Sequence, residues 1–268
     1  MYRNVVYNGR EGTVTLFGWN EHGDRIRREC SFEPYLYTED PRGDKTSIFG
    51  TKVKKRSFNT GYNRYKFLQD SGVKRVFENS PPAQQFLLDM YWEENEKPEF
   101  NTNPIKYCFI DIETYSVDSF PDVDDPTHVC NVITCWDNFS KKFNNYIEMQ
   151  HPDIISGWNS EFFDIPYIVN RMERILGQEY VDRLSPLRNV YFRMRMGSFG
   201  REQKRYYFDG VANLDYLDVY KRFCLKLRES YKLDAIGELE LGQKKIDYEG
   251  LALHELADQD WNKFIDYN

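Results

Sequence analysis

One stretch of the sequence decides the class of fold, and it is Tyr107-Cys108-Phe109-Ile110-Asp111-Ile112-Glu113-Thr114. Its first four residues are largely apolar, which predicts a short buried strand that ends at Ile110. Asp111 and Glu113 follow. Residues two apart in an extended chain point to the same side, so both carboxylates can bind one divalent cation. A solvated strand end is the alternative interpretation, because a second Asp-x-Glu triplet occurs at 247–249.

The sequence after this stretch predicts strands that alternate with helices. Buried strands are predicted at 129–136 and 153–158, and a helix follows over 165–176, with Pro166 in its first turn and Gly177 at its end. The later elements are a hairpin over 194–209 that turns at 197–200, and helices over 214–225 and 257–268. This alternation predicts an α/β sheet.

Residues 1 to about 100 form a first, mixed module, so the predicted domains are 1–100 and 101–268. The predicted elements of the first module are strands over 4–19 and 25–32, extended chain over 33–37, and helices over 63–71 and 83–92. The acidic stretch 93–98 is predicted to be a linker.

Composition limits the possible classes of protein. With 40% hydrophobic and 29% charged residues among 268, the chain can bury a core and is not broadly disordered. No apolar run is long enough to span a membrane, and residues 1–10 lack a signal-peptide pattern. The net charge of −7 argues against bulk nucleic-acid binding but permits a nuclease that gathers carboxylates around metal ions. Five cysteines without a CxxC pair predict reduced thiols and a cytoplasmic location.

Asp164 is a third candidate acid, at the start of the predicted helix over 165–176. From its position alone it is an ordinary helix N-cap. A role beside Asp111 and Glu113 requires the fold to bring this carboxylate across from a neighbouring element.

Longer motifs make the chain similar to a known family. The stretch 109–114 resembles the Exo I motif of DnaQ-type 3′–5′ exonucleases, and Asn159-x-x-x-Phe163-Asp164 resembles Exo II. Together with 157–171 and 214–223, these motifs resemble the N-terminal part of the family B replicative DNA polymerases of T-even-like bacteriophages. The resemblance implies a mixed N-terminal domain followed by a ribonuclease-H-like (DnaQ-type) exonuclease domain. The palm, fingers and thumb of such an enzyme would follow residue 268.

The resemblance also implies a mechanism. Two divalent metal ions, Mg²⁺ or Mn²⁺, would be held by Asp111, Glu113 and Asp164 and would activate the attacking water. Tyr267 matches the Exo III tyrosine that orients this water. The Exo III aspartate should come four residues after Tyr267, beyond the last residue of the sequence. Asp266 cannot replace it, because adjacent helix residues point about 100° apart.

Substrate contacts follow from the same resemblance. Thr114, Asn159 and Phe163 would shape the site and seat the DNA end, and Phe120 would stack on frayed terminal bases. Local packing is the alternative for Phe120. Basic residues of the predicted hairpin would contact phosphates or would form only a solvated basic face; they are Arg193, Arg195, Arg201, Lys204 and Arg205.

The sequence departs from the family within the second domain. Several dozen residues separate the strands that match 129–136 and 153–158 in the family, whereas only 137–152 lie between them here. If the strand at 129–136 is antiparallel to that at 107–110, a short crossing suffices. We therefore expect the sheet to persist, with a reduced edge strand and helix region and one face less covered.

Three functions remain open from the sequence. The first is an N-terminal fragment of a family B DNA polymerase that carries a 3′–5′ proofreading exonuclease, impaired alone, acting on DNA primer ends in a phage-infected cell. The C-terminal part of the polymerase would then be a possible partner chain. The second is a non-catalytic module that binds RNA or single-stranded DNA, with the basic cluster 52–56 at phosphates. A poorly folding remnant is the third. None of them involves a membrane.

Overall fold

The computed structural model describes residues 2–73, 75–92, 105–117, 119–138, 152–196, 202–245 and 250–267. The chain divides into two compact units, Met1–Pro104 and Ile105–Asn268. The sequence placed this division near residue 100. The predicted linker at 93–98 lies outside the described residues.

The first unit contains two antiparallel sheets and two helices. Its elements are β1 (Tyr2–Asn8), β2 (Thr13–Trp19), β3 (Arg25–Ser31), β4 (Tyr35–Glu39), β5 (Lys45–Thr46), β6 (Lys52–Ser57), α1 (Gly61–Asp70), β7 (Val76–Phe77) and α2 (Pro82–Trp92). The strand orders are β1-β2-β3 and β5-β6-β4-β7. Val14 and Leu36 are completely buried. The basic run 52–56 belongs to strand β6, where every residue but Val53 is exposed.

The second unit is built on a four-stranded sheet. Its elements are β8 (Tyr107–Tyr115), β9 (Val129–Asp137), β10 (Ile154–Ser156), α3 (Asp164–Leu176), α4 (Gln178–Asp182), β11 (Val190–Met196), β12 (Glu202–Phe208), β13 (Ala212–Asn213), α5 (Tyr216–Phe223), α6 (Leu233–Leu241), α7 (Leu253–Gln259) and α8 (Trp261–Tyr267). The sheet has the order β13-β10-β8-β9, and β11 pairs with β12 as a separate hairpin.

The strand directions permit the short connection between β9 and β10. β9 runs antiparallel to β8, and β10 runs parallel to β8 with Ile155 opposite Cys108. β9 therefore ends at the edge of the sheet where β10 begins, as the sequence predicts for a short crossing. Residues 139–151, which make that crossing, lie outside the described residues, as does the predicted hairpin turn at 197–200.

Three predictions about these elements were wrong. β8 does not end at Ile110 but continues to Tyr115, because β9 pairs along its whole length and places Asp111 opposite Thr134. β9 is not fully buried: as an edge strand of this sheet it leaves Val129 56% and Ile133 48% exposed. The single helix predicted over 257–268 is two helices, α7 and α8, separated at Asp260.

Helix α3 joins the sheet to the hairpin through one core. Ile165 and Val169 of α3 pack in a buried cluster with Ile110, Ile155 and aromatic side chains of β12. Burying such side chains stabilises the fold by about 1.5–3 kcal/mol each. The first turn of α3 is therefore fixed beside the middle of β8.

The five cysteines are free thiols, in agreement with the sequence pattern. In the described part of the chain, no helix has the length and apolar character needed to cross a bilayer.

Candidate active site

Asp111 and Glu113 lie on one face of β8, as strand alternation requires. The intervening Ile112 and the preceding Ile110 point to the other face and are buried. Asp111 is exposed to solvent and Glu113 is half-buried. The two carboxylates therefore lie within a paired strand, and a ligand can still reach them.

Asp164 is brought to these acids by the start of α3. Its Oδ1 accepts a hydrogen bond of 3.1 Å from the backbone N–H of Ile112, and the residue is only 4% exposed. It is not the helix N-cap, because Phe163 occupies that position and α3 has no side-chain cap. Asp164 lies close enough to Asp111 for the charge of Asp111 to raise its pKa. The structure thus brings Asp164 to the part of β8 that carries Asp111 and Glu113.

Burial raises the pKa values of all three acids, and the charge of Asp111 raises those of the other two further. Burial, followed by the negative charge of Asp111, raises the pKa of Glu113 to about 7. Burial and the same charge of Asp111 raise the pKa of Asp164 to about 7, although the N–H of Ile112 favours its ionised form. Desolvation raises the pKa of Asp111 as well, even though part of its surface is accessible. Such a group of carboxylates is stabilised by a nearby cation.

Lys245 supplies positive charge at this site, and the sequence analysis did not identify it. Its charge lowers the pKa of both Asp111 and Glu113. Its Nζ donates a hydrogen bond of 3.0 Å to the hydroxyl oxygen of Tyr267 and lies 4.9 Å from the centroid of that ring. Burial opposes the charged form, but Tyr267, Glu113 and Asp111 outweigh it and raise the pKa of Lys245. Tyr267 is thereby linked to the acids through Lys245, a tertiary contact that no local sequence pattern indicates.

The donor chemistry suits a divalent cation. Carboxylate oxygens are the hard ligands that Mg²⁺ and Mn²⁺ prefer, and a bound cation would favour the ionised forms of acids whose pKa values are raised. Within the described residues, however, no three or more His, Cys, Asp or Glu side chains converge closely enough to hold a metal ion as they stand. The assignment of Asp111, Glu113 and Asp164 as metal ligands stays a prediction, and it requires their side chains to move closer together.

Comparisons with known proteins show which family the chain resembles. Residues 141–236 match the family described as DNA polymerase family B, exonuclease domain. This part of the chain is therefore similar to the exonuclease domain of family B DNA polymerases. The chain is 25% identical over 327 aligned residues to the DNA-directed DNA polymerase of Escherichia phage RB69, across 99% of this chain and 34% of that protein. It is 35% identical over 127 residues to the DNA-directed DNA polymerase of Enterobacteria phage T4, across 47% of this chain and 14% of that protein.

A solved structure shows the same fold. The family B DNA polymerase of the archaeon Pyrobaculum calidifontis superposes with a TM-score of 0.69 at 16% identity, covering 98% of this chain and 43% of that one. The mixed α/β architecture with a ribonuclease-H-like exonuclease domain is thereby confirmed. The chain spans about a third of the RB69 polymerase, and the alignment with it has 327 positions against 268 residues here. That excess is expected if the relative carries a segment that this chain lacks.

Two aromatic residues lie near Asp164 in the second unit, Phe163 directly before it and Phe120 beside Phe163. The Phe120 ring lies 4.9 Å from that of Phe163, yet Phe120 remains 80% exposed. Both readings of Phe120 therefore have support: it packs locally, and it offers a free face to a base. Asn159 is exposed and has a positive φ of 65°, and Thr114 is half-buried on β8. Their contacts with DNA stay predictions.

The loop that carries Phe120 is held by hydrogen bonds from α3. The Asn170 side-chain amide donates to the carbonyl oxygen of Val123 at 2.5 Å, and Arg171 donates to that of Pro126 at 2.8 Å. The Tyr167 hydroxyl donates to the carbonyl oxygen of His128 at 2.7 Å. These contacts give a structural role to residues that the sequence marked only as part of a longer motif.

The basic residues of the hairpin β11–β12 are less available than their charge suggests. Arg205 pairs with the buried Glu161 at 2.5 Å, and Lys204 pairs with Asp124 at 2.9 Å. Arg193 stacks on two tyrosine rings, with its guanidinium carbon 5.4 Å and 5.6 Å from their centroids. Arg201 lies outside the described residues. The charges of Arg205 and Lys204 are thus already paired with carboxylates of the protein in the absence of DNA.

Proposed function

We propose that the second unit removes nucleotides from DNA 3′ ends in a metal-dependent 3′–5′ exonuclease reaction. The observation that carries this proposal is the hydrogen bond from Ile112 N–H to Asp164 Oδ1, which places the acid of α3 beside those of β8. The family match supports the choice of chemistry. None of these comparisons supports the alternative of a non-catalytic nucleic-acid-binding module.

Each residue has a defined part in the proposed reaction. Asp111, Glu113 and Asp164 would hold two divalent ions, Mg²⁺ or Mn²⁺, which when bound neutralise phosphate charge and lower the pKa of the attacking water. The hydroxyl of Tyr267, which accepts a hydrogen bond from Lys245, would orient that water. Phe120 offers the exposed ring on which a terminal base can stack.

We propose DNA primer ends as the substrate and replication as the setting, because the related phage proteins are DNA-directed DNA polymerases. About two-thirds of the RB69 protein has no counterpart in these 268 residues. We therefore propose that a polymerase segment acts together with this chain, either continuous with it or as a separate chain. The free thiols support a cytoplasmic setting, which we propose to be a phage-infected bacterium.

Digestion of 5′-labelled single-stranded DNA with Mg²⁺ or Mn²⁺ tests this function. We expect a ladder of products shortened from the 3′ end, and a loss of about 100-fold or more in rate for Asp111→Ala and Asp164→Asn, as when a charge-stabilising group is removed from an active site. Glu21→Gln, an exposed acid in the other unit, serves as the control. Undiminished digestion by Asp111→Ala contradicts the assignment. RNA binding that survives Asp111→Ala but is lost when 52–56 is neutralised would favour the binding module instead.

A further inference from the structure

We propose that Asp215 is a positioning residue of this site: its buried carboxylate fixes the loop of residues 157–163, and through that loop the place of Asp164. The inference rests on the proposed function only for its kinetic consequence. Asp215 is 2% exposed and is the N-cap of α5.

The carboxylate of Asp215 joins two parts of the fold. Its Oδ1 accepts hydrogen bonds from the backbone N–H groups of Leu217, at 2.9 Å, and of Asn159, at 3.0 Å. Its Oδ2 accepts from the N–H of Glu161 at 3.1 Å. The first bond caps α5, and the other two hold the loop. Hydrogen bonds to an ionised acceptor are about twice as strong as those between neutral groups.

The loop has a conformation that needs such support. Asn159 has a φ of 65°, in the left-handed region that Asn enters more readily than other residues with a Cβ but that still favours glycine. Gly157 approaches β8 so closely that a Cβ would lie 2.6 Å from the carbonyl oxygen of Ile110. Asn159 and Glu161, whose N–H groups donate to Asp215, lie on either side of the buried Ser160. The loop belongs to no strand ladder; Asp215 accepts two of its N–H groups, and the N–H of Tyr216 donates to the carbonyl oxygen of Gly157 at 2.8 Å.

The loop leads directly into Asp164. Glu161, whose side chain is buried and paired with Arg205, is followed by Phe163 at the N-cap of α3 and then by Asp164. The Ile165 N–H donates to the carbonyl oxygen of Ser160 at 2.9 Å, so the loop and the first turn of α3 move together. A shift of the loop would draw Asp164 away from the N–H of Ile112.

Asp215→Ser separates positioning from capping. The Ser hydroxyl can still cap α5, since Ser is among the preferred N-caps, but it has one short acceptor and cannot bridge to Asn159 and Glu161. We expect amide exchange at Ile112 to become at least tenfold faster while α5 stays protected. We also expect kcat on single-stranded DNA to fall by about 100-fold, the effect of misplacing a reacting group by about 1 Å, with KM within about threefold.

Two further variants complete the test. Thr60→Ala removes an N-cap from α1 in the other unit and should change neither Ile112 exchange nor kcat. Asp215→Asn keeps one carbonyl acceptor but faces Glu161 N–H with a donor, so we expect a smaller increase in Ile112 exchange. If Asp215→Ser loses amide protection throughout 105–268, that variant does not fold. The exchange rate of Ile112 in Asp215→Asn then tests the proposal. Wild-type exchange at Ile112 in Asp215→Asn, or in a folded Asp215→Ser, overturns the proposal. Faster exchange in a chain that never digests DNA would instead count against the proposed function alone.

Discussion

At the scale of single residues, the site holds carboxylates so close together that their ionised forms destabilise the metal-free protein. Asp164 is almost completely buried beside Asp111, and Lys245 is the cation that the described residues place near both Asp111 and Glu113. Removing a carboxylate from such a group relieves repulsion in the absence of metal, whereas it removes a ligand in the presence of metal. The same substitution should therefore have opposite effects on stability in the two conditions.

Asp164→Asn should stabilise the metal-free protein increasingly as pH rises. The folded-state pKa of Asp164 is raised to about 7, whereas that of an unfolded aspartate is about 3.9. The folded state thus binds more protons between these values, and wild-type stability falls as pH rises from about 4 to about 7. An Asn side chain cannot ionise, so the variant does not lose this stability. Its free energy of unfolding should exceed that of the wild type by roughly 4 kcal/mol at most above pH 7. Urea unfolding in EDTA at pH 4, 6 and 8 measures it, and a gain that does not grow with pH contradicts the pKa shift.

Lys245→Met should shift the pH dependence of digestion to higher pH. The charge of Lys245 lowers the pKa of Asp111 and Glu113, so its loss makes both acids harder to ionise. We expect the rising limb of the pH–rate profile to move upward and kcat to fall by about tenfold or more, as for a general electrostatic contributor. The neighbouring Lys244→Met, whose ammonium pairs with Glu238, is the matched control. An unshifted profile would place Lys245 outside the reaction.

At the scale of elements, β10 and the loop after it must approach β8 closely. A Cβ at position 157 would lie 2.6 Å from the Ile110 carbonyl oxygen and 2.7 Å from the Ser160 Cβ. Gly157→Ala should therefore cost about 1–3 kcal/mol of stability, as overpacking does, and should lower exonuclease activity by displacing the loop. At Gly9 the nearest atom to an added Cβ is 3.9 Å away, so Gly9→Ala is the control. Equal melting temperatures for the two variants would refute the close approach.

Local patterns predicted most elements but not how they meet. The periodicity of 165–176 and Gly177 located α3, and the apolar runs located β8, β9 and β10. From the sequence we predict that β8 ends at Ile110, because two acids interrupt the apolar run there. Its continuation depends on pairing with β9, which no local pattern indicates. The position of Asp164 alone predicts a helix N-cap. Its actual partner, the N–H of Ile112, is 52 residues away in the chain and cannot be identified from local sequence. Lys245 and Asp215 act through tertiary contacts, and only their structural neighbours reveal them.

At the scale of the whole molecule, each compact unit has its own core. Leu36 is fully buried in the first unit, and truncating a buried Leu to Ala costs about 2–5 kcal/mol. Leu36→Ala should lower the amide protection of 2–92 while leaving that of 105–267, and the kcat of digestion, unchanged. Mg²⁺ should raise protection only in the second unit. Hydrogen exchange measured by residue tests both, and a uniform loss across the two units would show that they do not unfold independently.

The central claim is that Asp111, Glu113 and Asp164 bind divalent cations together, and anomalous scattering from crystals grown with Mn²⁺ tests it most directly. We predict a Mn²⁺ peak about 2.1–2.2 Å from carboxylate oxygens of both Asp111 and Asp164, close to the distances of hard divalent ions. That peak should disappear in Asp164→Asn. Mn²⁺ bound elsewhere, with these carboxylates unliganded while DNA is still digested, would contradict the account.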